Sequence, residues 1–180
     1  MPDIMDQLRI TVYTDYKSPY AYLAKNATIA LAVEYPVSIV WKPYTLRIHE
    51  YLDAVENRSP HNWRKIRYMY MDARRLANRQ GLTVKGPKRL FNGSLSSMGM
   101  LFSQKHGFFD RYHHLTFERF WRRELDIDSM NEMKEHIAAV GGMPEKFEVY
   151  ALGAGIEEHR RIVSDAEAAG VFGVPMYELD

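Results

Sequence analysis

The sequence predicts an α/β fold in which an open sheet layer carries a large all-helical insertion. Three observations predict it. Two strand patterns flank a helix pattern at the start of the chain, helical signals dominate from residue 59 to residue 169, and a strand pattern returns only at the end. We expect a discontinuous α/β domain at residues 1–45 and 170–180. Residues 46–169 then form the insertion and the helix that returns to the sheet.

The start of the chain predicts a strand, a helix and a second strand. LRITVY, residues 8–13, alternates its apolar side chains with the period of a strand. Apolar residues at helical spacing predict a helix over Pro19–Glu34, which Tyr35 and Pro36 end. VSIVW, residues 37–41, predicts the second strand. A right-handed crossover through the helix makes the two strands parallel.

The insertion is predicted to be helical throughout. Pro60 begins its first helix and Gly81 ends it, because proline suits the first helical position and glycine the end. Further helices are predicted over residues 94–106, 109–123, 129–140, 144–152 and 155–169. VPMYEL, residues 174–179, then predicts the last strand.

Composition excludes several classes of function. The chain has 180 residues, a formal net charge of +1 and no cysteine. The charge balance gives no case for a nucleic-acid partner, and the missing cysteines exclude disulfides, thiolate metal sites and a cysteine nucleophile. The acidic start lacks the pattern of an export signal, and no apolar run reaches membrane-spanning length. We therefore expect a cytoplasmic protein with no membrane partner and no metal.

Ser18 and Pro19 stand where the first strand passes into the first helix. A serine before proline at a helix start is an N-cap, and the same position favours negative charge. Lowering a thiol pKa from about 8.5 by two units needs roughly 2.7 kcal/mol. A helix dipole worth about 0.3–1 kcal/mol and a charge-assisted bond of roughly 1.5–3 kcal/mol reach that sum. Ser18 is thus either a cap alone or a cap that also holds a ligand's thiolate.

Val174 and Pro175 form the second candidate feature. Proline is tolerated at the first residue of a strand. If the bond is cis, Val174 presents an unpaired N–H and C=O outward, and an extended peptide can pair with them as an added strand. The alternative is an ordinary trans proline in a loop.

Several segments carry a family resemblance when their order and spacing are taken together. YTDYKSPYAYLA starts at Tyr13, KIRYMYMDARRLANRQGL at Lys65, FERFWRRELDIDSMNEM at Phe117 and AEAAGVFGVPMYEL at Ala166. In this arrangement the chain resembles the family of 2-hydroxychromene-2-carboxylate isomerases and kappa-class glutathione transferases over nearly its whole length. The resemblance implies a DsbA-like thioredoxin fold, and so a thioredoxin-like sheet with a large all-helical insertion.

The resemblance also implies roles for individual residues. Ser18 replaces the redox cysteine and contacts the sulfur of glutathione. Val174, before a cis-Pro175, pairs with the cysteinyl backbone of the tripeptide. Asn57, three residues before a proline, and Lys65, which meets a glutathione carboxylate, occupy ligand-binding positions. Family members are commonly dimers, so we expect a homodimer.

The sequence departs from the family pattern in two places. A further strand, an acidic pair and a final helix normally follow the cis-proline strand, and Asp180 is too close to Pro175 to supply that acid. We expect either that the native chain continues past Asp180 or that part of the site is lost. In LFNGSLSSMGML, Met98 and Gly99 occupy positions where the family often has other residues, which indicates a different substrate.

Two functional hypotheses follow. The first is a glutathione-dependent isomerase or transferase acting on an aromatic or other electrophilic small molecule, in which Ser18 donates or accepts a hydrogen bond and does not act as the nucleophile. The second is a non-catalytic module with a degenerate site that binds glutathione or a peptide. A thiol–disulfide oxidoreductase that uses its own sulfur is excluded, because the chain has no cysteine.

Overall fold

The computed structural model describes residues 7–48 and 55–179, and within them it has a small mixed sheet covered by helices. The strands are β1 (Leu8–Thr14), β2 (Val37–Pro43) and β3 (Met176–Leu179). β1 lies in the centre, parallel to β2 and antiparallel to β3. The predicted α/β fold with its parallel first pair and its helical insertion is confirmed.

Apart from β2, the elements described between β1 and β3 are helices. α1 connects β1 to β2 over Pro19–Glu34, at the bounds that the sequence predicted. The remaining helices of the described residues are α2 (Pro60–Arg79), α3 (Ser94–Lys105), α4 (Phe109–Trp121), α5 (Met130–Ala139), α6 (Pro144–Leu152) and α7 (Ala154–Ala168). A short 3₁₀ helix at Val55–Asn57, which the sequence did not predict, precedes α2.

Serine caps define the starts of the helices that matter most for the site. The Ser18 side chain accepts a hydrogen bond from the Ala21 N–H at 3.2 Å, and the Ser59 side chain accepts one from the Asn62 N–H at the same distance. A proline follows each of these serines at the first helical position, where its missing N–H costs no hydrogen bond. The predicted N-cap at Ser18 is confirmed.

An aromatic cluster fixes the junction between β1 and α1. Tyr16 is fully buried, with its ring centroid 4.7 Å from that of Phe117 and 5.8 Å from that of Tyr112. Its hydroxyl lies 3.0 Å from Nδ1 of His113. Burial lowers the pKa of His113 to about 3, so its ring is neutral, and the tautomer decides which of the two groups donates this hydrogen bond. The junction before Ser18 is therefore attached to α4 by packing and by one buried hydrogen bond.

Two further findings concern the limits of the chain. None of the helices in the described ranges combines the length and the apolar character that crossing a bilayer requires. Asp180, which entered the sequence argument about the missing acid, lies outside the described residues.

Candidate functional site

The structure brings Ser18 and Val174 together from opposite ends of the chain. The Ser18 hydroxyl donates a hydrogen bond of 3.3 Å to the Val174 carbonyl oxygen, and the Val174–Pro175 peptide bond is cis. The prediction that both polar groups of Val174 stay unpaired is wrong for the carbonyl, because the cap hydroxyl still has a proton to donate. Among the described backbone groups, none accepts a hydrogen bond from the Val174 N–H. That N–H remains available to an extended ligand.

Ser18 stands at the positive end of α1. The helix has no acidic residue in its first turn, so nothing there offsets the partial positive charge of its N-terminal N–H groups. The serine itself is 5% exposed. An anionic sulfur that approaches the hydroxyl therefore meets a hydrogen-bond donor and the helix N-terminus together.

A cavity of about 390 Å³, here called the Ser18 cavity, opens beside these two residues. Its walls come from the β1–α1 junction, the segment after β2, α2 and the segment before β3. Most of the side chains are apolar or aromatic: Pro19, Tyr20, Leu46, Ile48, Ile66, Met69, Tyr70, Leu90, Phe172 and Val174. Lys17, Ser18 and Arg58 add the polar groups, with Gly173 completing the lining. Apolar walls with a few convergent polar groups are typical of small-molecule sites.

Lys17 and Asp15 form a buried ion pair in the connection that leads to Ser18. The Lys17 ammonium donates to the carbonyl oxygens of Leu46 at 2.9 Å and Asn92 at 2.5 Å, and it lies 3.5 Å from Oδ2 of Asp15. The Asp15 carboxylate also accepts the N–H groups of Lys17 at 2.9 Å and Leu46 at 2.8 Å. Burial raises the pKa of Asp15, and the charge and N–H groups around it oppose that rise.

Gly93 makes room for the Lys17 side chain. Its φ of +81° lies in the left-handed region, and a Cβ at this position would lie 3.0 Å from Cε of Lys17. The backbone conformation and the close approach both favour glycine. The Lys17 side chain therefore contacts three separate chain segments: Asp15, Leu46, and Asn92 with Gly93.

The other predicted site residues lie outside this cavity. Asn57 ends the 3₁₀ helix and Lys65 lies on α2, and both are exposed. Neither lines the Ser18 cavity, although their sequence neighbours Arg58 and Ile66 do. Pro175 is half-buried and follows the cis bond without lining the cavity. Of the predicted residues, the structure thus unites Ser18 with Val174 and leaves Asn57 and Lys65 at the surface.

Sequence reasoning missed Lys17 and Asp15. Their position could have indicated them, because both belong to the short connection that leads into Ser18. The sequence did single out Met98 and Gly99, and the structure places both inside α3, away from the Ser18 cavity. Met98 belongs to the buried core, so the departure there affects packing.

A second cavity of about 430 Å³, here called the side cavity, adjoins the first. The two share Leu46, Ile48 and Leu90 in their walls. In the side cavity Nε2 of His159 lies 2.8 Å from the Thr45 hydroxyl. Burial lowers the pKa of His159, and the charge of Lys17 lowers it further. Lys17, which lines the Ser18 cavity, therefore also affects a group of the side cavity.

Comparison with known families identifies the family to which the chain belongs. A scan of protein families matches residues 9–180 to the DSBA-like thioredoxin domain. The chain belongs to this family. In a DSBA-like thioredoxin domain without cysteine, the Ser18 junction cannot perform disulfide exchange with its own sulfur. A search of curated proteins finds no match.

Solved structures agree on the fold. A 2-hydroxychromene-2-carboxylate isomerase shares 23% identity over 96% of this chain and 85% of its own, with a TM-score of 0.78. A probable DsbA oxidoreductase from Streptomyces coelicolor shares 16% sequence identity, over 96% of this chain and 80% of its own, with a TM-score of 0.77. The cytosolic disulfide reductase DsbM from Pseudomonas aeruginosa, solved with glutathione, shares 14% sequence identity, over 96% of this chain and 88% of its own. Its TM-score is 0.64. At these identities the likeness establishes the fold alone.

Proposed function

We propose that this protein is a glutathione-dependent isomerase or transferase that acts on an aromatic or other electrophilic small molecule. The observation that carries the proposal is the hydrogen bond from the Ser18 hydroxyl to the Val174 carbonyl at the wall of a largely apolar cavity. One hydroxyl, one helix N-terminus and one N–H that has no backbone acceptor among the described residues lie together there. A small peptide that brings its own thiol fits this set of groups.

In this proposal glutathione binds in an extended conformation along Val174. Its cysteinyl carbonyl accepts the Val174 N–H, and its sulfur takes the position next to the Ser18 hydroxyl. Ser18 then donates its proton to the thiolate instead of to the Val174 carbonyl. Little free energy is lost in that exchange, because the bond of 3.3 Å is longer, and so weaker, than a typical O–H···O hydrogen bond of about 2.7–2.8 Å.

The electrophile occupies the apolar part of the Ser18 cavity, against side chains such as Ile66, Met69 and Tyr70. The thiolate adds to an electrophilic carbon and forms a C–S bond, while the displaced electron pair moves onto the substrate's conjugated system. In a transferase this bond is retained. In an isomerase the adduct opens and rotates, the C–S bond breaks, and glutathione leaves unchanged.

Asn57 and Lys65 are proposed to bind the ends of glutathione from the rim, with Lys65 meeting a carboxylate. A cytoplasmic location and a homodimer belong to the same proposal. Two neighbours support it: the isomerase with the TM-score of 0.78, and the DsbM structure solved with glutathione. A non-catalytic module with a degenerate site that binds glutathione or a peptide is the second candidate, which the exposed positions of Asn57 and Lys65 outside the cavity favour.

Calorimetry with glutathione and an ultraviolet titration of the bound thiol test the proposal. We expect binding at or below millimolar concentration and a thiol pKa about two units below the usual 8.5, because the helix N-terminus and Ser18 favour the thiolate. S-methylglutathione, which has no ionisable sulfur, is the control for the ultraviolet signal. Absence of binding at millimolar glutathione rejects the enzyme and leaves only a module that binds another peptide. Binding with an unshifted thiol pKa rejects the enzyme and favours the module.

A further inference from the structure

We infer that Lys17 supplies the positive charge that holds the glutathione sulfur as a thiolate beside Ser18. The inference rests on the proposed function and extends it by a residue that neither the family resemblance nor the sequence indicated. Lys17 directly precedes Ser18, lines the same cavity and is 6% exposed. A buried charge in the wall of an apolar cavity is poorly screened, so it acts on a nearby anion more strongly than a surface charge does.

The position of the ammonium is fixed on three sides. It donates to two carbonyl oxygens, of Leu46 and Asn92, and it pairs with the Asp15 carboxylate at 3.5 Å. Two of the three N–H bonds of the ammonium go to these carbonyl oxygens and the ion pair holds the group against Asp15, so Lys17 is not needed as a direct donor to the ligand. It acts on the sulfur through space and is a positioning residue for the charge of the thiolate.

Asp15 determines how strongly the Lys17 charge acts on a ligand in the cavity. Its carboxylate is buried beside the ammonium, 3.5 Å away, and partly cancels the ammonium charge. Among the described residues, the other charged or titratable groups around the pair and the cavity include Tyr16, whose pKa is raised by burial and also by the Asp15 charge, and His159 across the shared wall. The cavity wall adds Arg58, Tyr20 and Tyr70. Burial lowers the pKa of His159, and the charge of Lys17 contributes to the same direction.

This arrangement predicts opposite effects for the two partners of the ion pair. In Lys17→Met the positive charge is lost, so the pKa of the bound glutathione thiol rises. In Asp15→Asn the compensating negative charge is lost, so the thiol pKa falls. We expect each shift to be at least about half a unit, which is modest beside the 1–3 units that an adjacent opposite charge produces.

The test is the ultraviolet titration of bound glutathione in the wild type, Lys17→Met, Asp15→Asn and the double variant. Lys25→Met is the matched control, because Lys25 is also a buried lysine but bonds to His114 and does not line the Ser18 cavity. Shifts of opposite sign in the two single variants, a thiol pKa of the double variant that lies between those of the two single variants, and an unchanged Lys25→Met support the inference. A purely structural role of the ion pair predicts that both single variants shift the thiol pKa upward together.

Each outcome separates this inference from the proposed function. Glutathione binding by the wild type with shifts of equal sign, or with no shift, overturns the role of Lys17 and leaves the proposed function standing. A wild type that does not bind glutathione overturns both. If one single variant binds glutathione too weakly to titrate, the dependence of thiol alkylation rate on pH is measured at saturating glutathione, and the same signs are required.

Discussion

Ser18→Ala lowers kcat/KM for the glutathione-dependent reaction by about 100-fold, in the range seen when one donor to a developing anion is removed. The reason is that the hydroxyl that bonds to the Val174 carbonyl is also the donor that the thiolate requires. The same variant loses the N-cap of α1, which costs about 1 kcal/mol of unfolding free energy. We therefore expect a large loss of rate with a small loss of stability.

Steady-state kinetics and urea unfolding of Ser18→Ala measure the two effects separately. Ser129→Ala is the matched control, because Ser129 caps α5 through the Glu132 N–H and does not line the Ser18 cavity. The control loses a similar cap energy and keeps its rate. If Ser18→Ala keeps the wild-type rate, Ser18 has no part in the reaction and only its capping role stands.

Gly99→Ala destabilises the fold by about 3 kcal/mol, the upper part of the usual range for overpacking a core. A Cβ on Gly99 would lie 2.2 Å from Oη and 2.7 Å from Cζ of Tyr112. Tyr112 cannot move aside easily, because it is fully buried and its hydroxyl donates to the Ser96 carbonyl at 2.7 Å. Its ring also packs edge-on against Tyr16, so displacing it disturbs the junction that leads to Ser18.

Equilibrium unfolding in urea measures this cost. Gly86→Ala is the control, since a Cβ there makes only ordinary contact, at 3.7 Å from Cε1 of Tyr70. We expect the control to stay within about 1 kcal/mol of the wild type. A Gly99→Ala variant that unfolds at the same urea concentration as Gly86→Ala would show that Tyr112 has room to move, and that glycine at this position is not required for packing.

The sequence predicted the framework well, because local signals agree with the tertiary structure there. Ser18 and Pro19 specify both the start of α1 and its cap, and Pro144 likewise marks the start of α6. The alternation in residues 8–13 correctly predicted β1, and the crossover rule gave its parallel pairing with β2. In these segments the residue types leave few other conformations.

The site was less predictable, because its details depend on contacts between distant segments. Nothing local indicates that the Lys17 side chain turns inward to reach the carbonyls of Leu46 and Asn92, which lie 29 and 75 residues away in sequence. Periodicity likewise cannot show that Lys65 lies on the exposed face of α2 while Ile66 faces the cavity. The bond between Ser18 and the Val174 carbonyl also required the fold to be known.

The structure of the complex with glutathione tests the central claim most directly. We predict that the sulfur lies within hydrogen-bond distance of Oγ of Ser18, and that the cysteinyl carbonyl of the tripeptide accepts the Val174 N–H. The Ser18 hydroxyl then no longer bonds to the Val174 carbonyl. Glutathione bound elsewhere, for example in the side cavity, or a bound tripeptide that leaves the Val174 N–H unpaired, would contradict the account.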